Sequence, residues 1–126
     1  MPSIEWIECD EALKLHQVAI SQYGGSGGLK NEDSLMSGLY KPRHHHFYKD
    51  INDLYILASL YVEGIACHNY PFNDGNKRTG FQVANFFLCK NGIVNAYDND
   101  RVYERTLSFA NHQITHLDYA YFLEHG

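Results

Sequence analysis

The polar chemistry of this chain concentrates between His68 and Gly80, which read His-Asn-Tyr-Pro-Phe-Asn-Asp-Gly-Asn-Lys-Arg-Thr-Gly. Pro71, Asp74, Gly75 and Asn76 are turn formers, each for its own backbone reason. Lys77 and Arg78 follow, and then an apolar run through Phe81, Ala84, Phe86, Phe87 and Leu88. The pattern is a helix, a tight loop, and a second helix whose first turn carries two cations. Unpaired N–H groups at a helix start, with Lys and Arg beside them, make an anion site. An acid in the same loop, Asp74, has the chemistry to hold Mg²⁺ against a bound phosphate. A plain helix–loop–helix turn, capped by Asp74 or Asn76 with solvated cations, would use the same residue types. The density of an acid, amides, two cations and two glycines in one short loop puts phosphate binding ahead.

The elements that must position this loop are helical. Leu54, Leu57, Tyr61, Gly64, Ile65 and His68 recur at helical spacing and predict a helix from Asp53 to about Asn69. The next is predicted from Asn76 to Asn91, ended by Gly92. It is apolar over much of its circumference and is expected to be the buried central helix. Upstream, Ile4 to Ile7 read as a short strand or an extended arm. Asp10 is the expected N-cap of a first helix carrying Leu13, Ala19, Ile20 and Tyr23, stopped at Gly24-Gly25. Gly24 to Gly28 lack the Lys-Ser/Thr ending of a P-loop and read as a connector. A second helix is expected over Asn31 to Leu39, ended by Pro42. His44, His45 and His46 come next; three adjacent histidines cannot all face one metal from a regular helix or strand, so an exposed or partly packed loop is expected there. Ile93 to Ala96 read as an extended connection. A helix follows over about Asp98 to Asn111, and Thr115 with Asp118 forms a capping-box start for a last one through Leu123. The expected fold is all-α, about six helices with any strand marginal.

Composition bounds the rest. A chain of 126 residues forms one domain, 1–126, large enough for a single core. A net charge of −5 argues against general nucleic-acid binding, so the two motif cations read as a local site. No stretch reaches the ~20 apolar residues of a membrane span, and no signal-peptide pattern opens the chain. Cys9, Cys67 and Cys89 are odd in number and widely spaced. They are expected to be buried thiols in a reducing cytoplasm.

The run Pro71-Phe72-Asn73-Asp74-Gly75-Asn76-Lys77-Arg78-Thr79 resembles the central motif of the Fic/Doc superfamily in its Doc (death-on-curing toxin) form, which usually reads His-Pro-Phe-x-Asp-(Gly/Ala)-Asn-Lys-Arg-Thr. Chain length and flanking helices fit a stand-alone Doc-like toxin along nearly the whole sequence. The resemblance implies the Fic/Doc helical fold, ATP and Mg²⁺ as cofactors, and an antitoxin as partner. It assigns Asp74 to the metal and Gly75, Asn76 and Lys77 to the anion cradle, with Arg78 binding a phosphate or bracing the loop. Phe72 and Thr79 read as packing or capping residues. The stretch Arg43, His44, His45, His46, Phe47 and Tyr48 falls where Fic-type proteins place a flap over the target segment. Fic proteins that transfer AMP usually have Gly where this chain has Lys77. Lys is the Doc-type residue, and it implies transfer of the γ-phosphate to a Thr or Ser hydroxyl. In the Doc branch that hydroxyl belongs to the translation factor EF-Tu.

One position departs from the motif. The family's catalytic His stands immediately before Pro-Phe, and this chain has Tyr70 there. At neutral pH a phenol (pKa about 10) is almost wholly protonated, whereas imidazole (about 6.5) is not, and losing a general base typically costs about 10²–10⁴-fold in rate. His68, two residues back, points roughly 200° away on a regular helix and is not placed to substitute. Three classes therefore stand: a Doc-like toxin kinase impaired at Tyr70, a Fic-type nucleotidyltransferase, and a non-catalytic nucleotide- or protein-binding module.

Overall fold

The computed structural model describes residues 3–126. Six α-helices run in chain order: α1 Cys9–Tyr23, α2 Glu32–Lys49, α3 Leu54–Val62, α4 Asn76–Lys90, α5 Asn99–Ala110 and α6 His116–His125. A π-helical segment, Glu63–Asn69, continues α3 up to the motif loop. Among the described residues the only β pairing is a single antiparallel bridge between Leu29 and Phe72. Ile4 to Ile7 therefore form an arm, not a strand. Glu5 exchanges hydrogen bonds with the Asn91 side chain, at 2.9 Å each, and the Ile7 N–H donates to the Tyr61 hydroxyl at 3.0 Å.

The centre of the bundle is shared between two helices. Every residue of α3 from Leu57 to Val62 is buried, whereas α4 buries the stripe Thr79, Gly80, Val83, Ala84, Phe87 and Leu88. α3 packs on α2, α4 and α6, while α4 packs on α1, α3, α5 and the π segment. The more completely enclosed helix is thus α3, and α4 is the one that reaches from the core to the surface loop. Helix ends largely follow local chemistry. Asp53 accepts from the Tyr55 and Ile56 N–H groups, Asp98 accepts from Arg101, and Thr115 with Asp118 closes a reciprocal capping box. Gly24, at φ 82, stops α1.

Three expectations are corrected. Asp10 is not the first N-cap: α1 starts two residues earlier, after Glu8, whose N–H donates to Glu11 at 2.9 Å. Asp10 sits in the first turn, where its charge suits the helix dipole. Pro42 does not end the second helix; it lies buried inside α2, which continues to Lys49. An internal proline loses one N–H bond and crowds the carbonyl four residues back, here that of Gly38. Gly38 lies against Gly64 so closely that a Cβ on Gly64 would stand 2.8 Å from the Gly38 Cα. The side-chain-free crossing and the burial of Leu39 and Pro42 hold the helix through the proline. As a result His44, His45 and His46 are helical, and Arg43 to Tyr48 are the last turns of α2, not a loop. Finally, only Cys67 is a buried thiol; Cys9 is half-buried and Cys89 is exposed.

Candidate functional site

The motif loop begins where the π segment ends. Tyr70 takes a left-handed backbone (φ 43, ψ 58) that reverses the chain into Pro71. Pro71 and Phe72 are buried, and the loop is stitched to residues 24–31 by main-chain bonds. The Pro71 carbonyl accepts from the N–H groups of Lys30 (2.8 Å) and Asn31 (3.1 Å), and the Asn73 N–H donates to the Gly28 carbonyl at 3.2 Å. The glycine-rich segment is thus more than a connector: it forms a wall bonded along the motif loop. At Gly25 (φ 113) a Cβ would stand 2.7 Å from Asp74 Oδ2, so only glycine fits there.

Asp74 is exposed, with Oδ1 accepting from the Gly75 N–H at 3.0 Å and Oδ2 from the Ser26 N–H at 3.3 Å. Each oxygen keeps a free lone pair. Among the described residues no three His, Cys, Asp or Glu side chains cluster as metal ligands. A lone carboxylate does not fit a caged Zn²⁺ or Ca²⁺. It does fit Mg²⁺, which keeps its waters and is held by one or two carboxylates plus substrate phosphates.

Gly75, at φ 78, is the N-cap of α4 and carries no side chain to close it. The Asn76 side chain does not cap the helix either. Its Oδ1 accepts from the Phe72 N–H at 3.0 Å and its Nδ2 donates to the Phe72 carbonyl at 2.9 Å. Among the described residues no acceptor meets the N–H groups of Asn76, Lys77 or Arg78. The start of α4 thus holds three open donors with two exposed cations beside them. Asn76 contributes its main-chain N–H there, while its side chain braces the loop. The Arg78 guanidinium lies over the Tyr23 ring, 3.7 Å from its centroid, which ties it to the end of α1. A surface cleft is lined by Tyr70, Asn73, Asp74, Gly75, Asn76, Lys77, Arg78 and, from α5, Tyr103.

Two residues behave as packing groups. Phe72 is buried, and Thr79 is fully buried with its Oγ1 free of any protein partner. Sequence reasoning missed His16. It is 5% exposed, its ring stacks on Phe72 (centroids 3.8 Å apart, 7° between planes), and its Nε2–H donates to the Asp74 carbonyl at 2.8 Å. The available signal was its place in the buried stripe Ala12–His16–Ala19 of α1, where an ordinary core helix would carry an apolar side chain.

The remaining candidates do not converge on this cleft. Arg43 pairs with Glu8 at 3.1 Å and lies over the Trp6 ring. The His46 Nδ1–H donates to the Ile51 carbonyl, while Phe47 and Tyr48 are exposed. His44 and His45 line a separate groove with Ser37, Tyr40, Lys41, His68 and Asn69. His68 is in that groove too, accepting from Lys41 Nζ at 3.2 Å, and not beside Tyr70.

The sequence model of the Fic/DOC family matches residues 6–88. The chain belongs to the Fic/DOC family. A curated relative, protein kinase doc of Escherichia phage P1, is 30% identical over 109 residues, spanning 86% of this chain and 85% of that protein. The region matched by the Fic/DOC model contains every cleft residue except Tyr103. It also contains the glycine-rich wall and His16, so those parts of the site belong to the family region, while α5 and α6 complete the bundle. No helix is long and apolar enough to cross a membrane among the described residues.

Proposed function

We propose that this chain is the toxin of a toxin–antitoxin pair, a cytoplasmic protein kinase that transfers the γ-phosphate of ATP to a Thr or Ser hydroxyl of a translation protein, with EF-Tu as the candidate target. The observation that carries the reading is the open start of α4: three unpartnered N–H groups with Lys77 and Arg78 beside them and Asp74 in the same cleft. Identity to a relative named as a protein kinase supports phosphoryl transfer, and Lys77, where AMP-transferring relatives usually have Gly, supports it further.

Phosphoryl transfer asks a protein mainly for positioning and charge. The N–H groups of Asn76, Lys77 and Arg78 take up phosphate oxygens, and the two cations neutralise charge as it moves to the leaving group. Asp74 would hold Mg²⁺, which supplies further neutralisation between phosphates when bound. Asn76, Phe72 and His16 keep the cradle in shape from behind. The target hydroxyl must lose its proton near Tyr70, which is a weak base at neutral pH, so this chain is slower than a His-bearing one by about 10²–10⁴-fold. The α2 groove lined by His44 and His45 is the proposed docking side for the target or for an antitoxin segment.

Tyr70 itself favours a second reading, a nucleotide- or protein-binding module without turnover. The test expresses this chain and its Tyr70→His version in cells and follows growth, then incubates both with a translation extract and ATP labelled at the γ or the α phosphate. Growth arrest and γ-label on a target, both stronger with Tyr70→His, are expected. Label from the α phosphate would replace the kinase with a nucleotidyltransferase. Silence from both chains would leave the binding module.

A further inference from the structure

Tyr70 stands in the cleft as a hydroxyl without a partner. Its ring lines the same surface as Asp74, Gly75, Asn76, Lys77 and Arg78. It is 38% exposed, and among the described residues its Oη makes no hydrogen bond. Its main chain is held on both sides: the π segment ends in it, and the following Pro71 carbonyl takes two N–H groups from residues 30 and 31. The ring is therefore presented to the cradle from a fixed point. A phenol also carries its oxygen further from Cα than an imidazole carries its distal nitrogen. A tyrosine at a base position thus extends its Oη towards the place where an acceptor hydroxyl would lie.

We propose that Tyr70 is itself a phosphoryl acceptor, so that the chain phosphorylates its own cleft in cis. This rests on the kinase reading above and gives that site its first substrate. In the step, Tyr70 Oη forms a bond to the γ-phosphorus as the bond from that phosphorus to the β–γ bridging oxygen breaks. ADP leaves with the electron pair of that bond, and the phenolic proton passes to water. Such a loose transfer demands alignment more than a strong base, and tethering the acceptor to the cleft supplies alignment. The product is a phosphomonoester carrying about −1.5 to −2 charges at pH 7, next to Lys77, Arg78 and the three open N–H groups. It fills the cradle that the next γ-phosphate would need. One turnover then closes the site.

The test uses the purified full chain with Mg²⁺ and γ-labelled ATP, read by intact mass and peptide mapping. Up to one phosphate per chain is expected, on Tyr70, at a rate independent of protein concentration, and Tyr70→Phe should lose at least nine-tenths of the label. Label that persists in Tyr70→Phe, or a rate that rises with protein concentration, overturns the inference. An unlabelled chain whose Tyr70→His version passes γ-phosphate to a target overturns it while leaving the kinase reading intact. No transfer by either version overturns both.

Discussion

Replacing Asn76 by alanine isolates what holds the motif loop in shape. The side chain closes a two-bond ring with the Phe72 main chain, at 3.0 Å to the N–H and 2.9 Å to the carbonyl, both part-buried. Alanine removes both partners at once and leaves a donor and an acceptor beside a fully buried aromatic ring. Each orphaned group costs about 1–3 kcal/mol. Since this site is only partly shielded, the lower half of that range applies, giving about 3 kcal/mol for the pair. For a domain of this size that is a drop of roughly 10 °C in Tm, measurable by calorimetry or circular dichroism, with urea unfolding as the second reading. The helical content of the folded state should not change, because Asn76 stands at the very start of α4 and its side chain makes no bond within that helix. A Tm within error of the parent would refute the bracing role and return the Asn76 side chain to the solvent-facing cradle.

Three further outcomes follow from the same structure. His16→Phe keeps a ring stacked on Phe72 but deletes the Nε2–H bond to the Asp74 carbonyl. Urea unfolding should show a loss of about 1–2 kcal/mol, with weaker ATP binding by calorimetry. Burial pushes the Glu11 carboxyl up, but the Lys90 hydrogen bond, the Glu8 N–H and the charges of Lys90 and Lys14 outweigh it and hold the group below its usual 4.5. A carboxylate with a lowered folded pKa stabilises above its unfolded value and loses that contribution as pH falls through the folded one. Stability should therefore decline below about pH 4.5, and Glu11→Gln should flatten that part of a Tm-against-pH curve. Of the three thiols, burial first and the Glu63 charge second push Cys67 up to about 12. A thiol reagent should accordingly modify Cys89 fastest and Cys67 only on unfolding.

Much of this was legible in the sequence where local chemistry decides structure. Asp53, Asp98, Thr115 with Asp118, Gly24 and Gly92 mark helix ends through interactions within a few residues. The motif's open helix start could be read the same way. Several of the misreadings come from contacts between distant parts of the chain. Pro42 looks like a stop until its crowded Gly38 is seen resting on Gly64. His44 to His46 then lose their loop, because the helix that should have ended carries them onward. The turn from α3 to the loop is wound as a π segment, which no residue pattern announced. His16 lies 58 residues from the carbonyl it supports, and the Asn76 side chain turns back to Phe72 instead of facing a ligand. At Pro42 and His16 packing between distant segments overrode a sound local rule, whereas Asn76 was decided within its own loop.

The lacing between the glycine-rich wall and the motif loop also dictates when the site comes into being. Its bonds join residues separated by 40 to 48 positions, and His16 on α1 reaches 58 positions to Asp74, so no short fragment contains a complete cleft. Long-range closure of this kind is slow compared with helix formation. A chain emerging from the ribosome would carry α1 and the wall well before the residues they clasp are made. The proposed phosphate-transferring site is thereby postponed until α4 has been synthesised and docked, which leaves an interval for a partner to engage the unfinished protein before that site exists.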